Sequence, residues 1–401
     1  MDTFNIVVFG CWNTGCTENS GQRSVSEILK KNEKKYEFIV ILGDNYYAKK
    51  LTLINDFKVK ITKLSDAKSG FDCLDNIKLE KKLIMGNHDV VDSFNNGCSV
   101  LKSQLKLPWY DIKFPFSFDF YYLSNDSTYE TILMIYLDTT IYNTLIMNEQ
   151  LCYSNTIGKS KTDLLNEQNE FIIKTLEMTI SNPHYQIKNV IFFGHEPLFT
   201  FKKKGELLKP LIIKELLKLL FDEKKKYKNL NFYWICADYH IYQNTEIIDL
   251  ESGNKIPQWI FGTGGGKLDS LVDINTFNFK NTYQINIIPN IVYDSNYIDV
   301  STNFTSYGVD RFGYGEITFE LCSVKHKFIM SDFNYTINNK KNKTSEAIKA
   351  IKAIKASDAI EVNDAIKVND AIEVNETNVI KNKYLKYKKK YIELNKKNKL
   401  I

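Results

Sequence analysis

The chain has 401 residues, 43% of them hydrophobic and 25% charged, with a net charge of +5. That length supports one large or two medium domains with a real core, and the composition is that of a soluble globular protein. No window reaches the ~18 apolar residues of a membrane span; the longest candidate, Thr131 to Met147, is interrupted by Asp138, Thr139 and Thr140.

Taken in chain order, several segments repeat one design: a short apolar run, then Gly or Ala, then polar residues. They are NIVVFG before Cys11, EFIVILG before Asp44, KKLIMG before Asn87, NVIFFG before His195 and NFYWICA before Asp238. TILMIYL runs into Asp138, and IPQWIFG runs into Thr263-Gly264-Gly265-Gly266. Runs of this length with little alternation predict strands covered on both faces. Helical patterns are expected between them, over Arg23–Lys34, Lys161–Ser181 and Leu207–Lys226. Strands alternating with helices predict an α/β fold. In open sheets of that kind, sites form beyond the carboxyl ends of strands, so the residues after these runs should converge.

From about residue 300 to 335 the pattern is strand-like, with Gly315–Phe319 and Phe328–Met330, and is expected to complete a second sheet. We place a first domain at 1–335, a linker with low-complexity repeats at 336–380 and a basic amphipathic helix at 381–401. The repeat reads DAIEVN at 358, DAIKVN at 364 and DAIEVN at 370. A period of six rotates the apolar face by 120° per repeat, so no single stripe forms. The last segment holds nine lysines and one glutamate. Ile380, just before it, and Tyr384, Tyr387, Tyr391 and Leu394 within it follow a 4, 3, 4, 3 spacing, a short a/d seam. The rest of the chain carries 44 basic and 47 acidic residues, so the body is not a basic nucleic-acid surface. Only the tail is a candidate for an anionic partner or for self-association.

The seven cysteines stand at 11, 16, 73, 98, 152, 236 and 322. None forms a CxxC pair. An odd number, with no leader-like segment at the N-terminus, points to free thiols and an intracellular, reducing compartment.

The chain has five histidines, at 88, 184, 195, 240 and 326. Three of them follow the strand-plus-Gly/Ala runs, beside Asp44, Asn87 and Asp238. Imidazole, carboxylate and amide oxygen together suit zinc, iron or manganese. A lone histidine is more often structural than a ligand, but three at strand ends beside carboxylates are harder to assign to packing.

Leu42-Gly43-Asp44-Asn45-Tyr46-Tyr47, Met85-Gly86-Asn87-His88-Asp89 and Gly194-His195-Glu196-Pro197 occur in that order, followed by Cys236-Ala237-Asp238-Tyr239-His240 and a Gly262-Thr263-Gly264-Gly265 turn. Over about residues 4–320 this resembles the calcineurin-like metallophosphoesterase superfamily, and within it the small purple acid phosphatases of the tartrate-resistant type. The resemblance implies two packed mixed β-sheets flanked by helices, a four-layer sandwich, with the low-complexity and helical tail outside it. It implies a dinuclear centre of two divalent or mixed-valence ions (Fe, Zn or Mn, with Zn or Fe first). Asp44 would bridge them. One ion would take Cys11, Asp44, Tyr47 and His240; the other would take Asp44, Asn87, His195 and Asp238. His88 would stand near the leaving group with Asp89 orienting it, and Lys204 would contact the phosphate. Two ions ~3.5–4 Å apart lower the pKa of a bound water, and the resulting hydroxide attacks phosphorus in line. The implied reaction is hydrolysis of phosphomonoesters, on a small molecule or a phosphoprotein.

The sequence departs from the family's pattern at three of these positions. Cys11 and Asp238 stand where the family has Asp and His, and Lys204 stands in place of an outer histidine. Thiolate and carboxylate are both competent ligands, and soft sulfur disfavours hard ferric iron. The same departures motivate an alternative, a catalytically impaired phosphatase-like scaffold or binding protein. The Lys/Asn/Ile-rich composition and the closing Tyr384–Lys388 segment are similar to proteins of giant DNA viruses of amoebae, which would place the protein in host cytoplasm or a virion.

Overall fold

The computed structural model describes residues 3–12, 16, 20–46, 71–91, 98–125, 128–142, 149–204, 207–249, 252–269, 290–291, 300–305 and 312–331. The expectations for Tyr47, for the 336–380 linker and for the 381–401 helix lie outside the described residues.

The strands are β1 (Thr3–Phe9), β2 (Phe38–Leu42), β3 (Glu80–Ile84), β4 (Asp111–Ile112), β5 (Phe116–Ser124), β6 (Tyr129–Leu137), β7 (Ile187–Phe193) and β8 (Phe199–Lys204). They continue with β9 (Leu207–Ile212), β10 (Asn231–Cys236), β11 (Tyr242–Asp249), β12 (Lys255–Phe261), β13 (Asn290–Ile291), β14 (Val300–Thr305), β15 (Gly313–Glu320) and β16 (Ser323–Met330). One six-stranded sheet has the order β16-β15-β1-β2-β3-β4; an eight-stranded sheet has the order β13-β14-β11-β12-β10-β7-β6-β5; β8 and β9 form a separate hairpin. β1, β2 and β3 are mutually parallel, as are β6, β7, β10 and β12. Antiparallel strands flank both groups, so both sheets are mixed.

Alternation along these strands builds the layers. In β1, Ile6 and Val8 pack between the sheets with Phe38, Val40, Ile191, Phe193 and Ile235. Val7 and Phe9 point the other way, onto Val25, Leu29, Val90 and Leu101. In β7, Ile191 and Phe193 face the other sheet, while Val190 and Phe192 meet Leu216, Leu220 and Phe221. Both faces of each central strand are dry, so every position can be apolar, and the sequence reads as unbroken runs. The result is the expected order of helix, sheet, sheet, helix.

Local signals place the covering helices. α1 (Gly21–Asn32) starts where the Ser20 hydroxyl accepts a hydrogen bond from the Arg23 amide at 3.2 Å. It buries Val25 and Leu29, one turn apart. The short helices α2 (Asn87–Val91) and α3 (Ser99–Gln104) and the longer α4 (Glu149–Ile157) follow. α5 (Lys161–Ile180) begins on a reciprocal cap between Ser160 and Asp163. α6 (Lys214–Lys226) buries Leu216, Leu217, Leu220 and Phe221.

Three expectations need correction. The helix expected over Leu207–Lys226 begins only at Lys214, because Leu207–Ile212 is strand β9, paired with β8. Pro210 inside that stretch cannot continue a helix, and it pairs opposite Phe201 in the hairpin. The strand-like run of 300–335 is split: β15 and β16, which hold Gly315–Phe319 and Phe328–Met330, complete the smaller sheet beside β1 as expected, while β14 joins β11 in the larger one. The cysteines are not all free. Cys16 pairs with Cys73 and Cys98 with Cys152, across 57 and 54 residues, with Cα atoms 5.7 and 5.4 Å apart. Such pairs are made by the approach of distant segments, which cysteine spacing does not encode. The cysteine number therefore gives no support to a reducing compartment. No helix among the described residues is long and apolar enough to cross a membrane.

Candidate metal centre

The carboxyl ends of the parallel strands of both sheets meet at one edge. Backbone bonds sew them together: the Gly10 amide donates to Phe261 O at 2.9 Å, Cys11 to Gly43 O at 3.0 Å and Ala237 to His195 O at 2.8 Å. Three non-glycine residues at these ends adopt left-handed backbone angles: Cys11 (φ 53°), Asp44 (φ 52°) and Asp238 (φ 52°). Each such residue is strained by about 1–3 kcal/mol, and residues of this kind cluster where function over-determines the backbone.

Two glycines let the ends close. A Cβ on Gly43, which has φ of +86°, would lie 2.6 Å from His195 Nδ1 and 2.7 Å from Gly86 N. A Cβ on Gly86 would lie 2.3 Å from Asp44 N. The Gly in each of the Gly-Asp and Gly-Asn-His-Asp motifs is thus a condition for bringing Asp44, Asn87 and His195 together.

Around Asp44, which is 1% exposed, two groups of donors form. Cys11, Asp44 and His240 place one ligand atom each within 4.8 Å of one another. His195 belongs to a second group: its Nε2 lies 3.2 Å from Asp44 Oδ1, 3.1 Å from Asn87 Oδ1 and 3.8 Å from Asp238 Oδ1. Both imidazoles are oriented from behind by carbonyls. His195 Nδ1 donates to Leu42 O at 2.7 Å, and His240 Nδ1 donates to Lys267 O at 2.6 Å. A carbonyl only accepts, so in each neutral ring the proton sits on Nδ1 and Nε2 carries the lone pair.

This arrangement fits a cation. The neutral His195 ring would aim its Nε2 lone pair at three oxygens, an acceptor against acceptors. Without a metal a proton must take that place. Burial pulls the His195 imidazole down, but Asp44, and after it Asp238, outweigh burial and push it up to about 10. Burial likewise raises the Asp44 carboxyl, but His195, aided by His88, holds it well below the usual carboxylate range. Sulfur, nitrogen and oxygen donors around one carboxylate are a metal-ligand set.

The remaining expected residues are placed as follows. The His88 amide donates to Asp44 Oδ1 at 3.0 Å, and its side chain is half-buried. Asp89 is fully buried. It accepts from Asn45 N at 2.9 Å, Asn45 Nδ2 at 3.1 Å, Gly86 N at 2.8 Å and Gln104 Nε2 at 2.8 Å. Burial, then Asp44, push its carboxyl up to about 7 against those bonds. Lys204 is the last residue of β8, opposite Leu207, and its side chain lies outside the described ones. Asn45, Gln104, Lys267 and Asp269, whose Oδ2 accepts from the His240 amide at 3.1 Å, were not singled out in the sequence. The run Gly262–Gly266 was the available signal for the last two, since that turn carries the chain back over His240.

Asp138 supports the His195 turn from behind. Its Oδ1 accepts from Thr140 N at 3.0 Å and its Oδ2 from Tyr153 Oη at 2.6 Å, while Thr139 Oγ1 accepts from the Glu196 amide at 2.9 Å. Burial pushes the Asp138 carboxyl up to about 6, against its bonds from Tyr153 and Thr140. A carboxyl raised by folding stabilises the native state while protonated. That contribution is full below the unfolded value near 3.9, is lost as pH rises through 6, and amounts to about 3 kcal/mol. Asp138→Asn retains an acceptor for Thr140 without the charge. Its unfolding free energy should therefore lack this decline between pH 4 and 8; denaturation curves that fall in parallel with the wild type would contradict the assignment.

A family model described as calcineurin-like phosphoesterase matches residues 4–221, which include Cys11, Asp44, Asn87 and His195. No curated protein matches the chain. Among solved structures, one that matches is titled GAP50, the anchor in the inner membrane complex of Plasmodium. It has 13% identity and a TM-score of 0.49, with 84% of this chain and 88% of that chain covered. With the family model spanning more than half of its length, the chain belongs to the calcineurin-like phosphoesterases.

Proposed function

We propose that this chain is a metal-dependent phosphatase that hydrolyses phosphomonoesters at a two-metal centre. Membership in the family implies metal-dependent phosphoester hydrolysis in general. One observation carries the finer reading. Asp44 belongs to two donor groups, Cys11 with His240 and Asn87 with His195 and Asp238, as a carboxylate shared by two ions would. Bound ions would neutralise phosphoryl charge and lower the pKa of a water.

The chain's own groups supply the rest. His88, tied through its amide to Asp44, is the group proposed to give a proton to the leaving oxygen. Asp89 holds the loops of Asn45 and Gly86 in register. Lys204 is proposed to meet the phosphate as a point charge. Tyr47 is proposed as a further ligand beside Cys11. The motifs Gly43–Tyr47 and Gly86–Asp89 support closeness to the tartrate-resistant purple acid phosphatases, with zinc, iron or manganese as the ions. The basic 381–401 segment is proposed to bind an anionic partner or to self-associate.

The test is metal content per chain followed by turnover of p-nitrophenyl phosphate and of its diester analogue. Two ions per chain, with monoester hydrolysis that disappears in His195→Ala, support the reading. Metal-replete protein that turns over neither ester would favour the second reading, a phosphatase-like scaffold, which the unusual donors Cys11 and Asp238 motivate.

A further inference from the structure

We infer that the two metal positions are chemically unequal: the Cys11–Asp44–His240 position is thiophilic and fills first, and the Asp44–Asn87–His195–Asp238 position is an oxygen-rich site for a harder ion. This rests on the two-metal reading above.

The donors themselves make the difference. Cys11 Sγ is fully buried and lies with Asp44 and His240 in one group of ligand atoms. A thiolate, an imidazole nitrogen and a carboxylate oxygen favour zinc, cobalt or ferrous iron over manganese or magnesium. The other group offers three oxygens, from Asp44, Asn87 and Asp238, to one imidazole. Oxygen donors of that kind suit manganese and the harder ions.

The rigidity of the sulfur side reinforces the order of filling. Cys11 is held in its left-handed conformation by bonds on both sides of its peptide: its amide donates to Gly43 O at 3.0 Å, and its carbonyl accepts from Gly266 N at 2.6 Å. His240 is fixed at Nδ1 by Lys267 O and at its amide by Asp269. The Cys11 backbone and the His240 ring are therefore fixed before any ion arrives. On the oxygen side, Asp238 is 19% exposed at its side chain and its nearest oxygen is 3.8 Å from His195 Nε2. That position keeps access to water, which competes with its oxygen donors for the first equivalent.

The experiment titrates metal-free full-length protein with Co²⁺ and follows the near-ultraviolet sulfur-to-cobalt charge-transfer band. The band should grow with the first equivalent and be complete at one cobalt per chain, while a second cobalt binds without adding to it. One equivalent of Zn²⁺ added beforehand should suppress the band, and one equivalent of Mn²⁺ should not. Cys11→Ser should lose the band and still retain cobalt on the oxygen side. Two cobalts bound without the band, or a band rising evenly over two equivalents, would overturn the inequality and leave the two-metal reading standing. Protein that retains no cobalt would overturn both.

Discussion

Asp44→Asn is expected to lower phosphomonoester turnover by a factor on the order of 10³ and to reduce the metal bound per chain from two to one or none. The reason is the place of Asp44 in two donor groups. In the proposed centre, Cys11 with His240, and Asn87 with His195 and Asp238, would each need its carboxylate to complete a site. Asparagine has the same shape, and its oxygen can still accept from the His88 amide, so the turn should survive. What it lacks is the negative charge that two adjacent cations require. Elemental analysis and steady-state kinetics on the same preparation check this, with thermal unfolding as the control for folding. Wild-type metal content together with wild-type turnover would remove Asp44 from the centre.

Asp89→Ala should destabilise the protein by about 3–5 kcal/mol, the cost of leaving several buried donors without an acceptor. Three donors lose this acceptor at once, the Asn45 amide, the Gly86 amide and the Gln104 side chain, while the Asn45 side chain keeps its bond to Ile84 O. No water-exposed route relieves them, since Asp89, Asn45 and Gln104 are all buried. The same carboxylate links the loop that carries Asp44 to the loop that carries Asn87, so metal retention should weaken alongside stability. Urea unfolding and equilibrium dialysis separate the two effects. A variant within 1 kcal/mol of the wild type would mean that the network relaxes without Asp89. Asp89→Asn, which keeps one acceptor oxygen, should fall between the two.

Much of the site was legible because its chemistry sits at fixed places in the strand pattern. Asp44, Asn87, His195 and Asp238 each follow an apolar run and a small residue, and parallel strands present such ends at one edge. Cys11 and His240 followed from the same logic. The supporting residues were not legible. Gln104 reaches Asp89 from α3, 15 residues away in the chain, and Lys267 reaches His240 from 27 residues away. Neither carries a motif, because a carbonyl or an amide in the right place is a property of the folded backbone.

By itself, the sequence determined the layered α/β architecture and the identity of the candidate donors gathered around Asp44. Both depend on local periodicity and on which residue ends each strand. Tertiary structure alone decided three other matters. It paired Cys16 with Cys73 and Cys98 with Cys152. It turned Leu207–Ile212 into a hairpin strand, with Pro210 opposite Phe201. It also brought Cys11 and His240 to Asp44 in one group, and His195 to Asp44, Asn87 and Asp238 in another. Each of these depends on which distant segments come within a few ångströms. The energy that settles it comes from burying both faces of the sheets, which no window of the sequence contains.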